Sequence, residues 1–371
     1  MEKQSFELIT GMQRHCNVHR IVYDGAGSRV LFFLQLRKRI LQVCQQHPKI
    51  QVIHFNDALL ATFCIWHKGY EHLKRTVTLH GLDVVFPSGI YRKHVLPKFN
   101  QFDHLIAVSR ATADRAIALG IAADKVSVIS NGVDQRSDDS HNLSWPKPEF
   151  LKQYAIPPGK LILLAIGRPV KRKGFSWFIR EVVPKLNGSF IVLFIGPFDK
   201  QPKILERVLS VVPENLRQKI MLFLGFGSDA GAIRELLDIP GADGQVRHLG
   251  RLPEEQKQAI LKFSDAFIMP NVSVNGDMEG FGLVCLEAAL AGATVFAANI
   301  DGIPDAIQHE KNGFLLPIED SNIWASKLNK LIANPEGFEA HKMNFQQFTM
   351  DNYSWEKMVK AYYELFLSLR G

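Results

Sequence analysis

The chain has 371 residues, 46% of them hydrophobic, with a net charge of +7 and a pI near 9.1. That length exceeds what one hydrophobic core usually supports, which points to two domains, and the apolar content excludes a disordered chain. No segment approaches the roughly 20 apolar residues of a membrane span, and the start, Met-Glu-Lys-Gln-Ser, carries no signal-peptide pattern, so a cytoplasmic protein is expected.

Taken in chain order, the apolar runs predict strands near 19–23, 51–55, 75–80, 104–108 and 126–129 in a first domain. A polar stretch from Asp134 to Lys147 holds the linker, and further strands are predicted near 161–166, 189–195, 219–224, 246–249, 266–269 and 293–297. Strands alternate with helical patterns, the signature of parallel sheets. The four cysteines, Cys16, Cys44, Cys64 and Cys285, are scattered in mostly apolar contexts and read as reduced core residues. There is no repeat and no low-complexity tract.

Charge is unevenly placed. Residues 1–145 hold 18 Lys and Arg against 12 Asp and Glu, a balance of +6. Within them Val30 to Val43 joins a wide apolar face to Arg37-Lys38-Arg39, which fits either an interfacial helix on an anionic membrane or a core-facing helix with a solvated basic end. No recognition motif accompanies the basic residues, so no nucleic-acid partner is expected.

Two segments carry chemistry. Leu161 to Ile166 is a buried-strand run followed by Gly167-Arg168-Pro-Val-Lys171-Arg172-Lys173-Gly174 and then a helical pattern through Pro184. A strand, a cationic turn and a helix make a phosphate grip: Arg168 can offer a planar fork to two oxygens and Lys173 a point charge. A solvated basic turn is the other reading. Further on, a polar loop, Asn271 to Met278, leads through Glu279 into a helix starting near Gly280-Phe281-Gly282, with Glu287 two turns inside. Bare amides at a glycine-rich helix start attract a diphosphate or a sugar hydroxyl, and the two glutamates can accept from hydroxyls.

Together these segments resemble the retaining glycosyltransferases of family 4, the group 1 transferases. The Gly-Arg then Lys-Gly pattern stands at Gly167-Arg168 and Lys173-Gly174, and the glutamates separated by seven residues at Glu279 and Glu287. Lesser signatures follow in order: His54-Phe-Asn-Asp57, Thr78-Leu-His80-Gly81-Leu-Asp83, Ala107-Val-Ser109, Asn131-Gly132-Val-Asp134, Leu249-Gly250-Arg251-Leu252-Pro and Tyr353-Ser-Trp355-Glu. The resemblance covers nearly the whole chain from about position 4.

It implies an α/β GT-B fold of two Rossmann-like, doubly wound parallel-sheet domains facing across a cleft that closes on the donor by a hinge. The acceptor domain would be residues 1–147, rejoined by the last helix at 353–371, and the nucleotide-sugar donor domain 148–352. Arg168 and Lys173 would neutralise the donor diphosphate beside Gly167. Glu287 would hold the ribose, with Leu283 and Val284 against ribose and phosphates. Glu279 and the backbone of Gly280, Phe281 and Gly282 would hold the donor sugar. Arg251 and Leu252 would line the nucleobase pocket, His80 would face the reacting sugar, and Asn131 and Gly132 would floor the phosphates.

No cofactor and no metal are expected. The chain has no Asp-x-Asp and no Cys-x-x-Cys, and His15 and His19 read as chance spacing. Two departures from the family pattern stand out. The opening strand and glycine-rich loop are absent, the chain beginning in what matches the following helix, Phe6 to Met12, which suggests a misplaced start, a truncated gene or a degenerate relative. Gly196 to Gln218 also adds a strand-helix increment before Gly225-Phe-Gly227.

The expected activity is metal-independent, retaining transfer of a sugar from a nucleoside diphosphate sugar to a glycan or lipid-linked glycan. Bacterial surface polysaccharide or lipopolysaccharide synthesis is the setting the family's breadth suggests, in the cytoplasm or peripherally on the inner face of the cell membrane. A sugar-nucleotide phosphorylase or epimerase-like enzyme of the same fold is one alternative. A catalytically inactive sugar-nucleotide-binding or membrane scaffold is another.

Overall fold

A computed structural model describes residues 2–25, 27–89, 91–134, 145–198, 229–239 and 244–370. The chain divides into two compact units, one of residues 1–134, 278–281 and 353–371 and the other of residues 135–277 and 282–352.

In the first unit four parallel strands lie in the order β1 (Val52–Phe55), β2 (Lys74–Leu79), β3 (His104–Ala107) and β4 (Val126–Val128). Their register pairs His54 with Thr76, Leu79 with Ala107 and Ala107 with Val128, so the chain ends beyond β2 and β4 emerge on one edge of the sheet. Each strand is short and rich in β-branched or large apolar residues, and Val77, Leu79, Leu105 and Ile106 are fully buried. Side-chain caps start the intervening helices: Asp57 accepts from Leu60 N, and Ser109 from Thr112 N.

The strand predicted at 19–23 does not form. Residues 17–24 run without a ladder partner, and β1 is the edge of the sheet among the described residues. Ile21 and Tyr23 still pack on the core while Val22 faces out, so the alternating pattern produced packing without pairing. The pattern over 30–43 does form a helix, Arg29–Gln46, capped by Ser28 and burying Phe32, Leu36 and Ile40.

The second unit is a six-stranded parallel sheet in the order β10 (Phe314–Leu316), β9 (Thr294–Ala298), β8 (Ala266–Met269), β5 (Leu161–Ile166), β6 (Phe190–Ile195) and β7 (Val246–His248). Every residue of β6, β8 and β9 is buried, because helices cover both faces. The strand predicted at 219–224 and the increment before Gly225 lie outside the described residues. The three-residue β10, at the sheet edge, was not anticipated. The helical pattern predicted through Pro184 breaks into a short helix, Phe175–Trp177, a π-turn over Phe178–Val182 and a 3-10 turn over Val183–Lys185. Pro184 has no N–H to return to the carbonyl four residues back, so the α-ladder cannot run through it.

Candidate functional site

The first unit gathers its candidates beyond β2 and β4. His80 follows β2; its backbone N–H donates to Asp83 Oδ2 at 2.6 Å, and its ring Nε2 lies 2.8 Å from the carbonyl of Asn56. A carbonyl can only accept, so Nε2 carries the proton and Nδ1 of the neutral ring is left as an acceptor. Burial pushes the His80 imidazole down to about 4, despite the bond to Asn56, so this neutral form holds at pH 7. Burial likewise pushes the Asp83 carboxyl up to about 6. Beside them His54, lowered by burial to about 4, bonds Thr76, Asn56 and Thr78, and Thr78 Oγ1 bonds the hydroxyl of Tyr362 in the last helix at 2.8 Å.

The segment Met278–Phe281 belongs to this unit and packs backbone to backbone on the His80 turn. Gly81 has φ +104°, and a methyl on Gly280 would stand 2.0 Å from His80 O. Glycine at 280 is therefore imposed by close approach to the turn that carries His80, and Glu279 is held next to it. Phe281 is buried with its ring 6.5 Å from that of Tyr353. Beyond β4, Asn131 is buried and its Oδ1 has no hydrogen-bond partner among the described residues, while a methyl on Gly132 would meet Trp355 N at 2.2 Å. An orphan buried amide oxygen is costly unless something else satisfies it.

In the second unit the ends of β5, β6 and β7 stand side by side. Gly167 N donates to Ile195 O at 2.8 Å, Gly196 N to Gly250 O at 2.9 Å, and a methyl on Gly196 would fall 2.0 Å from Gly167 O. Lys173 is only 7% exposed, and its stem crosses Gly167, with Cε 3.3 Å from where a methyl would be. Arg168 is exposed at the start of the same turn. The turn closes at Gly174, φ +65°, which lies so near Pro270 that a methyl would meet its carbonyl oxygen at 2.0 Å. Arg172 ties it further: its carbonyl accepts from Val272 N at 2.9 Å and its guanidinium pairs with Asp277 at 3.3 Å.

Gly282, φ +91°, caps the helix Leu283–Leu290 in the left-handed region and supplies no side chain to its first-turn amides. Leu283 and Val284 are half-buried there, and Glu287, 13% exposed, lies 3.5 Å from Lys257 Nζ. Arg251 is exposed and Leu252 packs on the core; the Gly250 N–H before them donates to His248 Nδ1 at 3.0 Å.

The structure thus brings His80 together with Gly280 in one unit, and Gly167 with Lys173 in the other. Two supporting residues carried no signal in the sequence. Lys257 meets Glu287 from a different helix, 30 positions away, and buried Asp229 accepts from Ser176 N at 3.0 Å and from Ser176 Oγ at 2.6 Å across 53 positions. Asp83 stood within a quoted motif, but its bond to the His80 amide was not anticipated.

Residues 5–136 match the family described as Glycosyltransferase Family 4, and residues 175–348 match Glycosyl transferases group 1. The chain is 23% identical over 336 residues to an uncharacterized glycosyltransferase of Methanocaldococcus jannaschii, covering 87% of this chain and 77% of that one. It is 24% identical over 287 residues to the putative colanic acid biosynthesis glycosyltransferase WcaL of Escherichia coli K12, covering 75% of this chain and 60% of that relative's length. Among solved structures, a glycosyltransferase from Rickettsia africae superposes with a TM-score of 0.71 at 16% identity, covering 99% of this chain and 94% of that one. HepE from Anabaena in complex with UDP-glucose superposes with a TM-score of 0.67 at 19% identity, covering 90% and 82%. With one glycosyltransferase model matched over residues 5–136, a second over 175–348, and two parallel α/β units, the chain belongs to the family 4, group 1 glycosyltransferases and has their GT-B fold.

Proposed function

We propose that this chain transfers a sugar from a nucleoside diphosphate sugar to a hydroxyl of a glycan or lipid-linked glycan, with retention at the anomeric carbon, without metal or other cofactor, in bacterial surface polysaccharide synthesis in the cytoplasm. The observation that carries this reading is Lys173, a residue 7% exposed whose stem lies across Gly167 at the end of β5, in a turn that opens with Arg168. Strand ends of open α/β sheets are where ligands settle, and a cation held at low exposure stabilises an anionic leaving group more than one in bulk water does. The UDP-glucose complex of HepE supports the donor class, and the name of WcaL supports the polysaccharide setting.

In this reading the second unit, residues 135–277 and 282–352, is the donor domain. Arg168 and Lys173 neutralise the diphosphate as the glycosidic bond opens, in the place a metal would take. Glu287 accepts from the ribose hydroxyls, with Leu283 and Val284 against the ribose and phosphates and the turn at Arg251 and Leu252 beside the base. In the first unit Glu279 and the backbone of Gly280 and Phe281 are the groups that would bind sugar hydroxyls. His80, protonated on Nε2, offers Nδ1 to a donor hydroxyl and stays neutral while an oxocarbenium-like state develops.

The test is calorimetric titration with UDP, GDP and ADP and their sugar conjugates in excess chelator, beside Lys173→Ala and Glu287→Ala. Chelator-insensitive binding of one nucleotide, lost in both variants, is expected, followed by an α-linked product from an α-linked donor. A folded chain that binds none of them would overturn the reading.

A further inference from the structure

We propose that the outer face of the helix Arg29–Gln46, with Leu59 and Phe63 of the neighbouring helix Ala58–Cys64, is a docking surface for an anionic lipid bilayer. Phe32, Leu36 and Ile40 already satisfy the core side of the first helix. Its opposite side nevertheless carries Val30, Leu31 and Leu34, the last 76% exposed, and Phe63 is 46% exposed on the second helix. Phe33 and Phe63 stack at 4.7 Å, which makes the two helices one surface. A soluble protein scatters such residues singly; here they are grouped.

Charge decides the occupant. The helix contains no Asp or Glu, and past Leu34 it presents exposed Arg37 and Lys38, with Arg39 turned over the ring of Phe32. A shallow depression of about 510 Å³ lined by Leu34, Arg37, Lys38, Leu41, Gln42 and Gln45 marks where the apolar part passes into the basic part. Trp66, 57% exposed two residues beyond the second helix, has Lys98 Nζ 4.9 Å from its ring centroid, a pairing of aromatic and cation suited to a headgroup layer. A second copy of the chain, joined by a two-fold axis through this face, would set the same cations against each other. The apolar side chains stand exposed on two adjacent helices, so they suit insertion at the acyl boundary. No described helix is long and apolar enough to cross a membrane, so the contact is peripheral.

The surface is independent of nucleotide binding, although it would bring the proposed active site to lipid-linked acceptors. Flotation of the full chain with phosphatidylcholine vesicles, with and without phosphatidylglycerol, tests it beside Leu34→Ser/Phe63→Ser and Lys38→Glu, with nucleotide titration of the same preparations. Flotation only with the anionic lipid, released by high salt and reduced roughly tenfold by either variant at unchanged melting temperature, is expected. Absence of flotation, or flotation indifferent to phosphatidylglycerol or to both variants, would overturn the proposal even if nucleotide binds. A dimer dispersed by Leu34→Ser would also overturn it, by assigning the face to a second copy.

Discussion

Lys257 Nζ lies 3.5 Å from Glu287 Oε2, joining the helix Glu254–Phe263 to the helix that carries the proposed ribose acceptor. Burial opposes the charge on Lys257, but the attraction of Glu287 and the bonds to Glu254 prevail and raise the ammonium above its ordinary value. The pair's contribution to stability is therefore complete below the unfolded value of about 10.4 and is lost only as pH rises through the folded one, well outside the working range. Lys257→Met removes this counter-charge from a half-buried carboxyl and frees its direction. Nucleotide affinity should fall about tenfold, roughly 1.4 kcal/mol, with Lys257→Arg restoring part of it. The preference for ribose over 2′-deoxyribose nucleotides should shrink in parallel; a uniform loss for both sugars would show that Lys257 does not act through Glu287.

Gly280 and His80 give a second expectation. A methyl at 280 would overlap the His80 carbonyl oxygen at 2.0 Å, and backbone on both sides leaves no flexible side chain to yield. Gly280→Ala should cost about 2–4 kcal/mol of stability in thermal or urea unfolding and displace Glu279. Gly231→Ala is the control, since a methyl there meets nothing within 4 Å and lies in the helix Ala230–Leu237, where alanine is favoured by up to about 1 kcal/mol. Equal melting of the two variants would sink the argument.

How much of this was legible in the sequence depended on range. Leu161–Ile166 and Phe190–Ile195 announced themselves because strands buried on both faces need unbroken apolar runs, and both formed where predicted. Residues 19–23 had the composition of a strand, but pairing is a property of two segments, and composition reports one. Phe314–Leu316 was missed because three residues at a sheet edge give no periodicity to detect. The glycines at 174 and 280 were visible as letters, whereas the carbonyl oxygens of Pro270 and His80 that they make room for were not. Asp229 and Lys257 are acid and base on ordinary helical stretches, and only tertiary contact gives them partners.

Acid should weaken the first unit. His54 and His80 are held down to about 4 from an ordinary 6.5, so the unfolded chain binds more protons than the folded one between those values. The stability they contribute is complete above 6.5 and is lost as pH falls through 4. Asp83 works the other way: raised from 3.8 to about 6, it contributes below 3.8 and loses that contribution as pH rises through 6. Two histidines against one carboxyl leave a net loss on acidification from pH 7 to 4.5, on the order of 2 kcal/mol after solvent screening. Urea unfolding across that range should show the decline, flattened in His54→Gln and steepened in Asp83→Asn. Stability that rises toward pH 4.5 would contradict it.

Asp229 supplies the last prediction. Its side chain, 4% exposed, accepts from both the amide and the hydroxyl of Ser176, and its own N–H donates to Pro169 O at 2.9 Å, so one residue clasps both ends of the turn that carries Arg168 and Lys173. Asp229→Asn keeps one oxygen for the Ser176 amide but removes the negative charge from both bonds and obliges the Ser176 hydroxyl to turn and accept from the new NH₂. The cost should be about 2 kcal/mol of stability, against about 1 for Ser176→Ala, which removes only the hydroxyl. Because the turn fixes where the Lys173 ammonium stands over Gly167, nucleotide affinity should fall in the same order, Asp229→Asn more than Ser176→Ala, at temperatures where both remain folded. Calorimetric titration beside thermal unfolding separates the two effects. Loss of stability with unchanged affinity would make Asp229 a support of the sheet and leave Lys173 positioned by its own stem across Gly167.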